Sequence, residues 1–251
     1  MYKHTNILPQ IHRGFGLRFL LSVISFIGLT FSTFLQSTLK ASQEGGRFYQ
    51  GYHNELITQA LSSDVLSSFL PVLVTIPLSA GYLEDVKSKF ARFCLIRDSY
   101  PGYLFSHCTA CWFCGGSTVF LGISVTWGVT TLILPPMEQV VESYIDITST
   151  IITQLLLLFL NGGLWAVLGM TMSTIMGSKY IAYASPFIVY YLLVILYERY
   201  FPNAWLLYPK NWLDPEIWPY GVGSAALFLL ELTFLCGLVF YIRGKRRLEQ
   251  L

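Results

Sequence analysis

Six long apolar runs restrict this chain to one kind of fold more than any other feature of its sequence. They cover about residues 15–35, 65–83, 106–134, 149–175, 180–197 and 221–242. A helix needs about 20 mostly apolar residues to cross a bilayer, and the runs approach or exceed that length. With 54% apolar and 12% charged residues, the composition excludes a disordered chain, a disulfide-stapled secreted module and a typical soluble enzyme. The pattern predicts an all-α, polytopic integral membrane protein whose single domain, residues 1–251, has six transmembrane helices.

The basic residues predict the orientation of these helices, because Lys and Arg collect in cytoplasmic loops. If the first helix starts inside, the inner side carries Lys3, Arg13, Arg18, Lys87, Lys89, Arg92, Arg97, Lys179, Arg243, Lys245, Arg246 and Arg247. The outer side carries only Lys40, Arg47, Arg199 and Lys210. Both termini are therefore predicted to be cytoplasmic. The first run is longer than a signal-peptide core and no clear cleavage site follows it, so it is predicted to stay as a membrane helix.

The inner segment of residues 84–97, between the second and third runs, is short, basic and amphipathic. An apolar stripe at helical spacing consists of Val86, Phe90, Phe93 and Cys94. Three basic side chains lie mostly away from this stripe: Lys87, Lys89 and Arg92. Asp85 can pair with Lys89 one turn later. The pattern predicts one amphipathic inner helix, either a passive helix on anionic lipid or a docking surface for a cytoplasmic partner protein.

The outer segment of residues 198–220 is rich in aromatic residues and proline. The aromatic residues are Tyr200, Phe201, Trp205, Tyr208, Trp212, Trp218 and Tyr220. Such side chains prefer the headgroup layer of a membrane. Two interpretations stay open, an ordinary aromatic belt and a functional re-entrant element that dips into the membrane.

Catalytic and cofactor motifs do not occur in the sequence. It contains no P-loop, no G-x-S-x-G elbow and no H-E-x-x-H zinc motif. Cys108, Cys111 and Cys114 have a spacing that suggests metal or cluster ligation, but they begin an apolar helix and are interpreted as packing residues. The chain is predicted not to be an enzyme and to need no cofactor or metal.

Five intramembrane residues are candidates for a transport pathway. Glu231 lies near the middle of the last apolar run, where an ionised carboxylate costs about 2.5–3.5 kcal/mol on insertion scales. We expect it to be neutral and buried against other helices, although cargo or proton handling is the alternative. Asn161 is expected to form an inter-helix hydrogen bond. Pro71 and Pro77 in the second helix and Pro186 in the fifth are expected to bend those helices.

Taken together, these features resemble the membrane subunit, or permease, of bacterial ABC-2-type transporters. The most specific residues of the resemblance are Leu70-Pro71, Ile76-Pro77, Glu84-Asp85, Lys89-Phe90-Ala91-Arg92-Phe93, Ile96-Arg97, Tyr100 and Tyr103-Leu104. The resemblance implies that residues 84–97 form a coupling helix that docks on a separate ATP-binding subunit. It also implies that residues 198–220 form short re-entrant helices on the outer side. The docking residues would be Glu84, Asp85, Lys89, Phe90, Arg92, Phe93 and Arg97.

The function expected from this resemblance is that of a multi-pass permease in the bacterial cytoplasmic membrane. It would export a peptide, an antibiotic or an amphipathic, lipid-like molecule. Its expected partners are a cytoplasmic P-loop ATP-binding subunit, a second permease subunit and membrane lipid, with no nucleic acid. By analogy, the first, second and fifth helices would form the dimer and pathway side. The main alternative is a membrane immunity, sensor or accessory protein that transports nothing, and an integral-membrane enzyme is a third.

Overall fold

The computed structural model describes residues 7–43, 51–134, 138, 148–214 and 217–250, which are helical and contain no β-strand. The α-helices within these ranges are α1 (Leu8–Gly14), α2 (Leu17–Gln43), α3 (Tyr52–Leu61), α4 (Asp64–Leu73), α5 (Gly81–Lys87), α6 (Phe90–Arg97), α7 (Tyr100–Ile133), α8 (Thr148–Met176), α9 (Lys179–Ile195) and α10 (Val222–Glu249). A π-helical turn, Leu196–Tyr200, extends α9, and two 3-10 helices, Trp205–Leu207 and Pro209–Leu213, follow it.

Five helices, α2, α7, α8, α9 and α10, are long and apolar enough to cross a membrane. The short helices α3 and α4 meet at an angle of 61° and would supply a sixth crossing if the bent pair counts as one span. The protein is therefore a multi-pass α-helical membrane protein.

The centre of the bundle is α8, which packs against α7, α9 and α10. Small residues allow the closest approach, where Gly115 of α7 faces Gly162 and Ala166 of α8. A Cβ atom added to Gly115 would lie 2.5 Å from the Ala166 Cβ and 2.9 Å from the Gly162 carbonyl oxygen. Close contacts between small residues are typical of helix packing in membranes.

The second predicted span, residues 65–83, is not a continuous helix. Helix α4 ends at Leu73, residues 74–80 form turns, and α5 begins at Gly81. Pro77 explains the break, because proline has no amide hydrogen and disfavours the helical conformation of the residue before it. The Ile76 amide accordingly donates to the carbonyl three residues back, that of Leu73. Pro77 thus interrupts the helix, a stronger effect than the predicted bend, whereas Pro71 lies within α4.

Side-chain hydroxyls hold this buried turn against its neighbours. Ser22 of α2 donates to the Leu73 carbonyl, and Ser79 donates to the Ala166 carbonyl of α8 over 2.9 Å. Ser22 and Ser79 are both fully buried. Irregular backbone at membrane depth is stable only where protein or water satisfies it, and here hydroxyl groups from the turn and from α2 form the hydrogen bonds.

Candidate functional site

The inner segment of residues 84–97 consists of two helices, α5 and α6, instead of the single amphipathic helix that the sequence predicted. They meet at Lys89, whose φ of 61° lies in the left-handed region. The predicted apolar stripe is consequently divided, with Val86 on α5 and its other members on α6. Whether this segment couples to a partner stays a prediction.

Asp85 of α5 is the centre of a buried polar cluster on this side of the bundle. Its side chain is 1% exposed, and its carboxylate oxygens Oδ1 and Oδ2 lie 2.6 and 2.8 Å from Nη1 of Arg13. The Tyr103 hydroxyl donates to Oδ2 of Asp85 over 3.0 Å, and Nε2 of His107 lies 3.2 Å from the same oxygen. The predicted pairing of Asp85 with Lys89 is wrong, because Lys89 is exposed and Asp85 points into the bundle. We call Arg13, Asp85, Tyr103 and His107 the Asp85 cluster.

Three separate parts of the chain supply the Asp85 cluster. Helix α1 brings Arg13, α5 brings Asp85, and the first two turns of α7 bring Tyr103 and His107 at a spacing of four residues, which places them on one face. The Ser99 side chain caps α7 by accepting the Gly102 amide hydrogen, and this cap fixes where the first turn begins.

The electrostatics of the cluster favour the ionised carboxylate. Burial alone would raise the pKa of Asp85, but the hydrogen bonds and charges of His107 and Arg13 outweigh burial and hold its pKa below the usual value. A buried carboxylate with several donors of this kind is a structural acceptor and not a free base. Nδ1 of His107 has no hydrogen-bond partner among the described residues.

Tyr82 extends the same contact region to the last helix. Its hydroxyl donates to the Gly244 carbonyl of α10 over 2.9 Å. Its ring meets the rings of His107 and Phe240 edge to face, with centroid distances of 5.9 and 5.0 Å. Through Asp85 and Tyr82, α5 therefore contacts α1, α7 and α10 at once.

Glu84, the first predicted docking residue, also faces the bundle. The Arg18 guanidinium of α2 donates two hydrogen bonds of 3.2 Å to its carboxylate. The two side chains remain partly exposed, so this pair adds little stability. Together Glu84 and Asp85 attach the start of the inner segment to α2 and α1.

Of the other predicted docking residues, Lys89 precedes α6, whereas Phe90, Arg92 and Phe93 lie on the exposed surface of α6 together with Ile96. Phe90, Phe93 and Ile96 are 48%, 68% and 73% exposed, and Arg92 is exposed beside them. Ala91 on the opposite side of the helix is fully buried. The side chain of Arg97 lies outside the described part of the structure. We call Phe90, Arg92, Phe93 and Ile96 the α6 surface.

The intramembrane candidates lie in different environments. Asn161 in the middle of α8 is 3% exposed, and its Oδ1 has no partner among the described residues, so the expected inter-helix hydrogen bond to this oxygen is not present there. Pro186 lies within the continuous helix α9, where its Cγ would be 3.2 Å from a Cβ on Gly169.

Glu231 is exposed, so the prediction that it is buried against other helices is wrong for this chain. Helix α10 turns Ala225, Leu229 and Phe240 to the bundle. Glu231 follows Leu229 by two residues, which is about 200° around the helix. Its carboxyl group therefore points away from the bundle.

The outer segment reaches deep into the bundle. Trp212, in the second 3-10 helix, is 4% exposed and stacks on Trp165 of α8 with a centroid distance of 5.9 Å and an interplanar angle of 19°. Trp165 follows the first residue of α8 by 17 positions, or about 25 Å at the rise of an α-helix. The Trp212 indole donates to the Leu206 carbonyl over 2.8 Å. This depth favours the re-entrant interpretation over a simple aromatic belt.

Two of the three cysteines of α7 lie in the interior of the bundle. Cys111 and Cys114 are buried, and the described residues contain no group of three side chains that could hold a metal ion. Helix α1 packs directly on them, since a Cβ on Gly14 would lie 2.3 Å from the Cys114 sulphur.

Sequence reasoning missed three of the four members of the Asp85 cluster. In the sequence Arg13 contributes only to the count of basic residues, and no motif singles out His107. The available signal is the spacing of Tyr103 and His107 at the start of an apolar helix, which follows Asp85 by 18 and 22 residues. The partner Arg13, 72 residues away from Asp85, has no local signal.

Comparison with family models, with curated proteins and with solved structures gave no match. The resemblance to ABC-2-type permeases is carried by the sequence features alone.

Proposed function

We propose that this chain is the membrane-spanning subunit of an ATP-driven transporter of the ABC-2 type. The observation that carries the proposal is the α6 surface, an exposed array of aromatic, aliphatic and basic side chains attached to the bundle by the buried Asp85. Exposed aromatic residues beside an arginine are typical of sites that bind another protein. The proposed occupant of this surface is a P-loop ATP-binding subunit in the cytoplasm.

The contacts of α5 would transmit movement of that partner to the membrane helices. Asp85 binds Arg13 of α1 and two side chains of α7, while Tyr82 binds the backbone of α10. A displacement of α6 would therefore pull on three helices through short, buried hydrogen bonds. Rigid elements of this kind can convert a small shift at one site into a movement of packed helices.

The other parts of the proposal follow from the resemblance and from the charge distribution. Both termini and the α5–α6 segment lie on the basic, cytoplasmic side, and a second permease subunit completes the pathway. Pro71, Pro77 and Pro186 lie along this route, and Asn161 and Glu231 are its polar candidates. The cargo is an exported peptide, antibiotic or amphipathic molecule.

A photo-crosslinking amino acid placed at Phe93 in the full chain, in its native membrane, tests the proposal. Leu132, which is 80% exposed near the opposite end of α7, is the matched control position. We expect a cross-link at position 93, but not at 132, to a protein whose sequence contains a P-loop. Cross-links from position 93 to lipid alone would contradict the proposal and support a passive interfacial helix, as expected for an immunity, sensor or accessory protein.

A further inference from the structure

A groove of about 790 Å³ lies between the first half of α7 and the middle of α10, residues 230–241. Its volume is in the range of known ligand sites, about 300–1,000 Å³. No residue of the Asp85 cluster or of the α6 surface lines the groove. The proposed docking of an ATP-binding subunit does not involve it.

The lining of the groove suits a hydrocarbon chain. Small residues, Gly102, Cys108 and Gly237, leave space along its length, and the rings of Phe105 and Phe234 border it. Phe105 and Phe234 are 58% and 70% exposed, so the groove opens towards the surface that faces lipid.

The hydroxyl groups of the two threonines in the groove lining already have hydrogen-bond acceptors and so need none from a ligand. The Thr109 hydroxyl donates to the Phe105 carbonyl over 2.9 Å, and the Thr233 hydroxyl donates to the Leu229 carbonyl over 2.7 Å. Each hydroxyl is satisfied by its own helix, which leaves an apolar surface for the ligand.

One end of the groove lies next to the basic end of α10. Helix α10 continues past Tyr241 with exposed Arg243, Lys245 and Arg246. Lys245 follows Tyr241 by four residues and so lies above it on the same side of the helix. Basic residues at the end of a groove between membrane helices are typical of sites for anionic lipid headgroups.

Two carboxylates, those of Glu249 and Asp98, lie near the basic end of α10, and together they do not cancel its positive charge. Glu249 is 3.9 Å from Lys245, with both side chains about half exposed. Asp98, at the start of α7, accepts the Ser99 amide hydrogen over 2.8 Å. Arg243 and Arg246 project from other sides of α10, about 200° and 140° around the helix from Tyr241, so Lys245 is the basic side chain on the groove side. The end of the helix as a whole carries three exposed basic groups, which outnumber these two acidic groups.

We propose that this groove binds an anionic phospholipid, with one acyl chain between α7 and α10 and the phosphate against Lys245. The bilayer is the source of the ligand, and the site lies in the leaflet next to the basic end of α10. The inference does not depend on the proposed transport function, because it uses only the groove and the charges beside it.

Native mass spectrometry of the full chain, released from vesicles of phosphatidylglycerol and phosphatidylcholine mixed in equal amounts, tests this site. We expect phosphatidylglycerol to be retained preferentially. Lys245→Gln should lower its retention roughly fivefold, which corresponds to about 1 kcal/mol for one basic residue near an anionic surface. Gly237→Leu should remove it, because the new side chain enters the groove beside the Cys108 sulphur, 3.3 Å from the added Cβ.

Gly223→Leu is the matched control for the groove-filling variant. It lies on the same helix, outside the groove lining, and an added Cβ there meets nothing within 4 Å. This variant should retain phosphatidylglycerol like the wild type. Equal retention by all variants, or equal retention of the two lipids, would overturn the proposal.

A second measurement needs no variant. Cys108 lines the groove, so bound lipid should shield its thiol from N-ethylmaleimide. We expect slower alkylation of Cys108 in phosphatidylglycerol nanodiscs than in phosphatidylcholine nanodiscs, with the modified cysteine identified by peptide mapping. The same rate in both lipids would contradict a site for an anionic headgroup.

Discussion

Tyr82 and Gly244 lie 162 residues apart in the sequence, and the hydroxyl of the tyrosine donates a hydrogen bond to the glycine carbonyl over 2.9 Å. The absence of a side chain at residue 244 makes room for this contact, since a Cβ there would lie 2.8 Å from Leu104 and 3.3 Å from the Tyr82 oxygen. The bond joins the inner segment to the last membrane helix within the buried part of the protein.

Removing this hydroxyl should destabilise the fold measurably. Tyr82→Phe leaves the Gly244 carbonyl without its side-chain donor, and we expect the free energy of unfolding to fall by about 1 kcal/mol. Thermal unfolding in detergent measures the change. Tyr220→Phe is the control, because Tyr220 is 88% exposed, and equal effects of the two variants would show that the bond adds nothing.

The Asp85 cluster should make the free energy of unfolding fall as the pH is lowered. Because the pKa of Asp85 is lowered on folding, its contribution is present above the unfolded value of about 3.9 and is lost as the pH falls through the folded value. Asp85→Asn should therefore cost about 2 kcal/mol at pH 7, and the difference from wild type should shrink below about pH 4. Denaturant titrations at several pH values measure it.

Asp64→Asn is the control for this prediction. The Asp64 side chain is 81% exposed although it pairs with Lys210, so the variant should change stability little at any of these pH values. A pH-independent loss in Asp85→Asn would contradict the assignment of an ionised, paired carboxylate.

The contact of α7 with α8 should not tolerate a methyl group. Gly115→Ala places a Cβ 2.5 Å from that of Ala166, and overpacking of this kind costs about 1–3 kcal/mol. Gly128→Ala on the same helix meets nothing within 4 Å and should be neutral or slightly stabilising, since alanine favours helix. Unfolding midpoints measured in the same detergent test this prediction, and equal midpoints for the two variants would contradict it.

Glu231 should oppose membrane insertion of α10. A carboxylate at the helix centre costs about 2.5–3.5 kcal/mol on insertion scales, and none of the helices that the structure describes covers the exposed Glu231. Glu231→Gln should therefore increase the inserted fraction in a glycosylation-mapping assay, whereas Glu249→Gln at the helix end should not. A Glu231→Gln variant that inserts normally but loses transport would instead show a direct role in cargo or proton handling.

If the α6 surface docks an ATP-binding subunit, truncating it should uncouple ATP turnover from transport. Phe90→Ala and Arg92→Ala should lower coupling, because aromatic and arginine side chains dominate binding at interfaces. Arg92 is exposed, whereas the half-exposed Phe90 ring also lies 5.7 Å from the Arg13 guanidinium carbon, so thermal unfolding of Phe90→Ala must show that the fold is intact. Replacing Lys87 and Lys89 together should matter less, since exposed lysines contribute weakly. A coupling loss only in the lysine variant, measured as transport per ATP hydrolysed, would favour a lipid-bound helix.

The long apolar helices could be predicted from the sequence because membrane solubility is a property of each segment alone. The end of the helix at Leu73 was harder to predict, since hydropathy depends only on how apolar the residues are. It carries no information about the backbone hydrogen-bond donor that Pro77 lacks. The partner of Asp85 and the exposure of Glu231 depend on how helices pack. The spacing of four residues predicted an ion pair between Asp85 and Lys89. In the structure Asp85 pairs with Arg13, which no local pattern could identify.

The contact of α1 with α7 also fixes an order for biogenesis. Arg13 leaves the ribosome long before Asp85, and the surface that receives α1 is complete only when His107 and Cys114 have been synthesised. During translation, α1 can therefore complete its native contacts only after the first half of α7 has been synthesised. The position of one of the earliest helices to be made thus depends on residues that follow it by about 100 positions.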